Sequence, residues 1–304
     1  VFDKEAGDFS NPVAKLLADG GGAQNRLTLS HKNLNKVASQ AGIAALSSGR
    51  LKWTVISAKG PNSIKAQNLR SMEVARPAGF ADIPAAVYVS GSATEFGTNP
   101  AQAGVMKNVG DGVFEIYTSL KEGTLTILDK ASAEAKTYAV IDNFTTLKEN
   151  AQTNISGETK IYRISLDFTN AAARLTEIKE VGLWYSVKND ILFTLDYAGG
   201  GIWKGLNKKI DLVKESYGPE ERYKFRMQVN DGTVNSFEWI GSINADNSRP
   251  DASTPASFYL IFPIASSDQW NFAFKFPLSV DGKNNDVILL LKPDGAYTHQ
   301  VITK

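Results

Sequence analysis

The chain has 304 residues, of which 42% are hydrophobic and 21% charged, enough to bury cores in two or three domain-sized units. Its 33 basic and 32 acidic side chains nearly cancel, so there is no electrostatic footprint for nucleic acid or anionic lipid. It has no cysteine, which excludes disulfides, zinc–thiolate sites and a cysteine nucleophile together.

From the N-terminus, Val1-Phe2-Asp3-Lys4-Glu5 does not read as a signal peptide, so an exported protein would have lost its targeting segment. One stretch predicts a helix. Ser30 is a good N-cap, Leu34, Val37, Ala38 and Ala41 recur at helical spacing, and Gly42 falls where a C′ glycine belongs. After it the period changes to two. Leu51-Lys52-Trp53-Thr54-Val55 alternates, placing Leu51, Trp53 and Val55 on one core-facing stripe. Residues 1–75 offer room for about four strands, where a complete immunoglobulin-type sandwich needs ~7 over ~100 residues. The unit is therefore expected to be strand-poor and to begin partway through a domain.

Residues 76–84 carry two prolines and no alternation, as a linker would. Alternation resumes in residues 113–118, 124–127, 161–168 and 222–229. Asp111-Gly112, Asn230-Asp231-Gly232, Asp281-Gly282 and Asp294-Gly295 are hairpin-type turn signals between such runs. A second boundary is expected near residues 170–174, before a strand at 178–185. Met106–Phe114 can be laid over Leu195–Trp203: each is a strand, a Gly-rich turn, then a β-branched residue and an aromatic. This is either two generic hairpins or two copies of one module. No apolar run approaches the ~18 residues of a spanning helix.

Catalytic chemistry finds little support. His31 reads as a solvated first-turn residue and His299 as a terminal strand residue, and neither has a metal-ligand partner at useful spacing. No nucleophile-elbow, zincin or phosphate-loop motif occurs. Gly199-Gly200-Gly201 precedes a strand, not a helix, and reads as a hairpin turn. The oxygen-rich residues 281–286 lack the calcium-loop pattern. Glu220-Glu221 reads as surface charge. No metal or cofactor is expected. The tryptophans say more. Trp53 and Trp203 read as core, whereas Trp239 enters a polar loop containing Asn244 and Arg249, where an indole can offer its face to a sugar ring. For each tryptophan, core packing is the competing reading.

Taken in order, several segments resemble the SusE/SusF-like surface glycan-binding lipoproteins of gram-negative gut bacteria. Gly7-Asp8-Phe9-Ser10-Asn11-Pro12, Leu34-Asn35-Lys36-Val37-Ala38 and Leu51-Lys52-Trp53-Thr54-Val55 are similar to the latter part of the family's N-terminal domain. Val87-Tyr88-Val89-Ser90-Gly91-Ser92-Ala93-Thr94 and residues 112–123 are similar to its first carbohydrate-binding-like module. Residues 197–203, Arg222-Tyr223-Lys224-Phe225-Arg226, Gln269-Trp270-Asn271 and Tyr297-Thr298-His299 are similar to its C-terminal module. The resemblance implies a non-catalytic lipoprotein on the outward face of the outer membrane, holding polysaccharide beside a TonB-dependent importer complex. Where starch-binding members carry an aromatic after the opening loop, this chain has Phe96 alone, so its middle module is expected to bind something else or nothing.

The expected fold is all-β, with tandem immunoglobulin-like or carbohydrate-binding-module-like β-sandwiches. The expected units are a spacer at 1–82, a SusE/SusF-like module at 83–174 and the likeliest glycan-binding module at 175–304. In the last, alternation turns Tyr223, Phe225 and Met227 inward and Lys224 and Arg226 outward. The expected site is a platform of Trp239 with Trp184 or Tyr185, and Arg226 and Asn244 as hydrogen-bond donors. The expected partners are a polysaccharide or oligosaccharide and the importer complex, with the membrane reached only through a lipid anchor outside this chain. The alternatives are a surface adhesion or structural protein that recognises a protein partner, and a hydrolase, which would require two facing carboxylates in a cleft.

Overall fold

Strands hold 47% of the chain and helix 7%, in large sheets with no barrel, so the fold is all-β, of sandwich type. The computed structural model describes residues 1–59, 61–265 and 268–304, with Lys32 described in its backbone alone. The chain packs as two compact units. The first is Val1–Pro84 with Asp167–Ala172, and the second is Ala85–Leu166 with Ala173–Lys304.

In the first unit, β1 (Phe2–Lys4), α1 (His31–Gln40) and β2 (Ser48–Trp53) are followed by β3 (Ile56–Lys59), β4 (Asn62–Lys65) and β5 (Arg70–Ala75). β2 is central, antiparallel to β1 and β5, and the buried Phe2, Leu51 and Val74 meet Val37 and Ala38 of the helix. The helix ends are as the sequence predicts. Ser30 Oγ accepts from the Asn33 N–H at 3.2 Å. Gly42 has φ +87°, and the Gly42 and Ile43 N–H groups donate to Ser39 and Ala38 carbonyls at 2.9 and 3.1 Å, closing a Schellman motif. The predicted stripe breaks, however, after Trp53. Leu51 is buried and Trp53 half-buried, but Val55 is 52% exposed, because the strand ends and buried Thr54 is held instead by the Val1 and Ala66 carbonyls. β3 and β4 form a separate hairpin whose described residues are exposed.

The second unit opens with β6 (Tyr88–Ser90), β7 (Gly104–Val105), β8 (Lys107–Gly110), β9 (Val113–Leu120) and β10 (Gly123–Leu128). β11 (Thr137–Ile141), β12 (Thr146–Glu149), β13 (Thr153–Ile155) and β14 (Lys160–Asp167) follow. β10 pairs with β6, β11 and β13, while β8 and β9 form a hairpin through Asp111-Gly112. β15 (Ala172–Tyr185) then runs unbroken across the expected boundary at 174/175.

The remaining strands are β16 (Asp190–Tyr197), β17 (Ile202–Ile210), β18 (Lys214–Glu215), β19 (Gly218–Pro219), β20 (Arg222–Asn230), β21 (Asn235–Gly241), β22 (Phe262–Ile264), β23 (Phe274–Lys275), β24 (Lys283–Leu290) and β25 (Thr298–Thr303). One sheet runs β16-β15-β20-β21-β22, with β23 beside the start of β20. The other runs β16-β17-β24-β25. β16 serves both, pairing with β15 up to Leu195 and with β17 at Asp196 and Tyr197. Leu183, Tyr185, Tyr223 and Phe225 of the first sheet share one buried core with Trp203, Val287 and Leu289 of the second. Gly199-Gly200-Gly201 is the predicted turn, with all three φ angles positive, and a Cβ on Gly201 would lie 2.5 Å from the Leu291 carbonyl oxygen. Asp281-Gly282, by contrast, makes no hairpin. It leads into β24, whose partners are β17 and β25, and the Gly282 N–H donates to the Ile210 carbonyl.

Glu95 fastens the loop after β6 to this turn. Its carboxylate accepts from Thr118 Oγ1 (3.0 Å), the Ser119 N–H (2.5 Å), the Tyr197 hydroxyl (2.5 Å) and the Gly200 N–H (2.8 Å). Partial burial pushes its pKa up, but these bonds outweigh that and hold it below the ordinary 4.5. Glu95→Ala is expected to lower stability by about 2 kcal/mol at pH 7. Because the folded-state pKa is depressed, the contribution is full above the unfolded carboxyl pKa and fades as pH falls through the folded one. Chemical denaturation at pH 7 and pH 3 tests this: a variant penalty that does not shrink in acid refutes the assignment.

Candidate functional site

Alternation along β20 sorts its side chains as predicted: Tyr223, Phe225 and Met227 are in the core, and Arg222, Lys224 and Arg226 lie on the opposite face. Cross-strand register sets Trp184 opposite Lys224 and Trp239 opposite Arg226, so both indoles share that face with the cations. The two rings meet edge-to-face, with centroids 4.9 Å apart at 85°. The Arg226 guanidinium lies 5.3 Å from the Trp184 ring and 4.4 Å from Phe237. The Lys224 ammonium lies 5.9 Å from Trp239, and Arg222 lies 5.5 Å from Trp270, which is 41% exposed. Lys224 is fully buried and donates to the Asp268 carbonyl. Burial pushes its pKa down, against the pull of the Asp268 carboxylate.

The structure thus brings together three of the five predicted residues. Trp239 and Arg226 are half-buried with exposed edges, while Trp184 is 7% exposed and mainly supports the other two. Tyr185 is corrected: as the neighbour of Trp184 it points to the other face, fully buried. Its hydroxyl donates to the Glu220 carbonyl (2.5 Å) and accepts from the Val213 N–H (3.0 Å), so no ligand reaches it. Asn244 is exposed, but its bonds go to Ser242 and Asn247 within its own loop, not to the indole pair.

Trp239 also lines a cavity of about 770 Å³, together with Phe237, Ile240, Ile261, Phe262 and further apolar side chains. Its polar wall is one network. Arg163 from β14 donates to both oxygens of Glu238 at 2.6 and 2.8 Å, and its Nε stands 3.9 Å from Glu115 of β9. The Tyr297 hydroxyl donates to Glu115 at 2.9 Å, and the Lys107 ammonium lies 4.9 Å over the Tyr297 ring and donates to the Gly295 carbonyl. Burial opposes the charge on Arg163, but Glu238 and its neighbours outweigh this and raise its pKa. Burial and Glu115 raise that of Tyr297. Sequence reading misses this network because its members are 75 and 182 residues apart.

One further expectation is corrected. Glu220 and Glu221 are not surface charge but 2% and 6% exposed. Glu220 pairs with Arg222 at 2.7 Å and accepts from Tyr217, and Glu221 pairs with Arg249. His299 lies on the terminal strand β25, as expected, and is buried there in the aromatic core, bonded to Tyr223 and Tyr259. Among the described residues no cluster of His, Cys, Asp and Glu is arranged to hold a metal ion.

Residues 1–56 match the family described as SusE outer membrane protein. The N-terminal segment is therefore SusE-like, consistent with a SusE/SusF-like family. No curated protein and no solved structure matches it. The matched family is one of outer-membrane surface binding proteins not known as enzymes, and the match points to an outer-membrane location. Among the described residues no helix is long and apolar enough to cross a membrane.

Proposed function

We propose that the protein is a non-catalytic glycan-binding protein, lipid-anchored and facing outward, that holds polysaccharide beside a TonB-dependent importer complex. The observation that carries the reading is Trp239, half-buried among the residues that line the 770 Å³ cavity, braced by Trp184 and paired in register with Arg226. Sugar rings present C–H faces and hydroxyl edges, which an indole face and guanidinium N–H groups complement. Residues 175–304 supply this platform, residues 83–174 form a module with altered or lost binding, and residues 1–82 act as spacer. Phe96, the aromatic of the middle module's opening loop, rests against Gly104, where a Cβ would lie 2.3 Å from its ring, and so presents little free face. Hydrolysis is disfavoured because Glu115 and Glu238 are both committed to Arg163, whereas a glycosidase needs one carboxyl group free to protonate the leaving oxygen. A single stacked ring contributes about 1 kcal/mol, so one site binds weakly and retention at a surface rests on several acting together.

Trp239→Ala is expected to weaken binding about five- to tenfold in titration calorimetry with an oligosaccharide that the wild type retains. Unchanged affinity in a variant with a native melting profile would remove Trp239 from the site. Phe237, 55% exposed on the same face, favours the alternative of adhesion to a protein partner. Failure of every polysaccharide in an affinity-gel screen would transfer the site to that reading.

A further inference from the structure

Arg226 differs from Arg222, Lys224 and Lys275 on its face in having no anion beside it. Arg222 is paired with Glu220 at 2.7 Å, Lys275 with Asp246 at 3.5 Å, and Lys224 is buried beside Asp268. The Arg226 side chain forms neither an ion pair nor a hydrogen bond among the described residues, and Glu180, opposite Gln228 in register, does not reach it with a salt bridge. Its guanidinium is held by ring faces, 5.3 Å from Trp184 and 4.4 Å from Phe237. Stacking of this kind immobilises the plane while leaving the N–H groups along its edge without acceptors.

A fixed, partly desolvated guanidinium edge fits one ligand group above others. A neutral sugar hydroxyl accepts single hydrogen bonds and leaves the charge uncompensated. A planar carboxylate or a sulfate accepts two parallel bonds and neutralises it. The overall charge of +1 gives no general attraction for polyanions, so such selectivity has to arise locally. The Trp239 indole, in register with Arg226, lies close enough for a ring stacked on it to bring a ring substituent to that edge.

We propose that the glycan held at this site is anionic, its carboxylate or sulfate group bound by the edge of Arg226. The inference rests on the glycan-binding reading and narrows its substrate class. Four polysaccharides serve as probes in affinity gel electrophoresis at about 0.15 M salt: polygalacturonate, its carboxyl-reduced neutral counterpart, chondroitin sulfate and amylopectin. Retardation is expected with polygalacturonate or chondroitin sulfate, which separates the carboxylate from the sulfate source, and not with the neutral pair. Arg226→Gln is expected to lose about tenfold in affinity, and Arg226→Lys, which keeps charge and bulk but not the bidentate edge, to fall between. Lys130→Gln, which removes one positive charge from an exposed lysine far along the sequence, is expected to change nothing.

Equal retention on neutral and acidic chains would overturn the anionic assignment and leave the glycan reading standing. An equal loss in Lys130→Gln and Arg226→Gln would reduce the binding to general charge attraction and also overturn it. So would undiminished acidic binding by both Arg226 variants. Retention by none of the four, with the native melting profile intact, would defeat the glycan reading itself.

Discussion

Lowering the pH from 7 to 4 is expected to destabilise the second unit by about 3 kcal/mol through His299 alone. The ring is 1% exposed and packed against Phe274, Phe225 and Tyr259. The Tyr259 carbonyl, 2.9 Å from Nδ1, can only accept, so Nδ1 carries the proton. Nε2 therefore accepts from the Tyr223 hydroxyl at 2.7 Å. Both nitrogens are satisfied by the neutral ring, and a second proton would displace the hydroxyl bond and place an unpaired charge in the core. Burial accordingly pushes the pKa from 6.5 to about 3. The unfolded chain takes up a proton below pH 6.5 and the folded one only near 3. Stability is therefore full above 6.5, declines as pH falls between those values and levels off below. His299→Gln offers an amide donor and an acceptor that do not titrate. It is expected to be less stable than wild type at pH 7 yet to lose about 3 kcal/mol less on acidification, measured by urea denaturation at both pH values. Parallel losses for the two proteins would show that His299 is not the titrating group.

Removing the Arg163 guanidinium is expected to cost about 3 kcal/mol at pH 7. Arg163 and Glu115 are 17% and 18% exposed at the side chain and Glu238 is 35%, so Arg163→Met strands two carboxylates at the cavity wall without their common partner. The loss comes from uncompensated charge, not from a missing attraction. Adding Glu115→Gln and Glu238→Gln to the same variant is therefore expected to restore most of it. Equilibrium denaturation of the single and triple variants decides. A single variant within about 0.5 kcal/mol of wild type would mean that solvent already screens the network.

What could be read in the sequence was local. The helix from Ser30 to Gly42 declares its ends because caps act over three or four residues, and the positive-φ turn at Gly199-Gly200-Gly201 is written in glycine itself. The two-residue period assigned the faces of β20 correctly because it depends on the pleat alone. It also implied that Trp184 and Tyr185 lie on opposite faces but not which faces the core, and that waited on the pairing of β15 with β20. The errors concern polar residues whose partners are remote. Glu221 looked solvated because Arg249 stands 28 residues on, and the burial of His299 within the terminal strand was hidden because Tyr223 stands 76 residues before it. Val55 erred in the other direction: the stripe was sound to Trp53 at the end of the strand, and Thr54 then turned the chain.

The side-chain links across the second unit also govern how the protein can be dissected. Glu95 holds Tyr197 and Gly200, Glu115 holds Tyr297, Arg163 holds Glu238, and Lys107 holds Gly295. A cut at 174/175 would sever each of these and pass through β15. An excised 175–304 fragment would keep the indoles but expose the aromatic wall behind them and leave Glu238 without its cation. Such a fragment would tend to self-associate, and a weak or absent ligand response from it would measure the excision, not the site. The smallest piece on which recognition can be judged begins at Ala85.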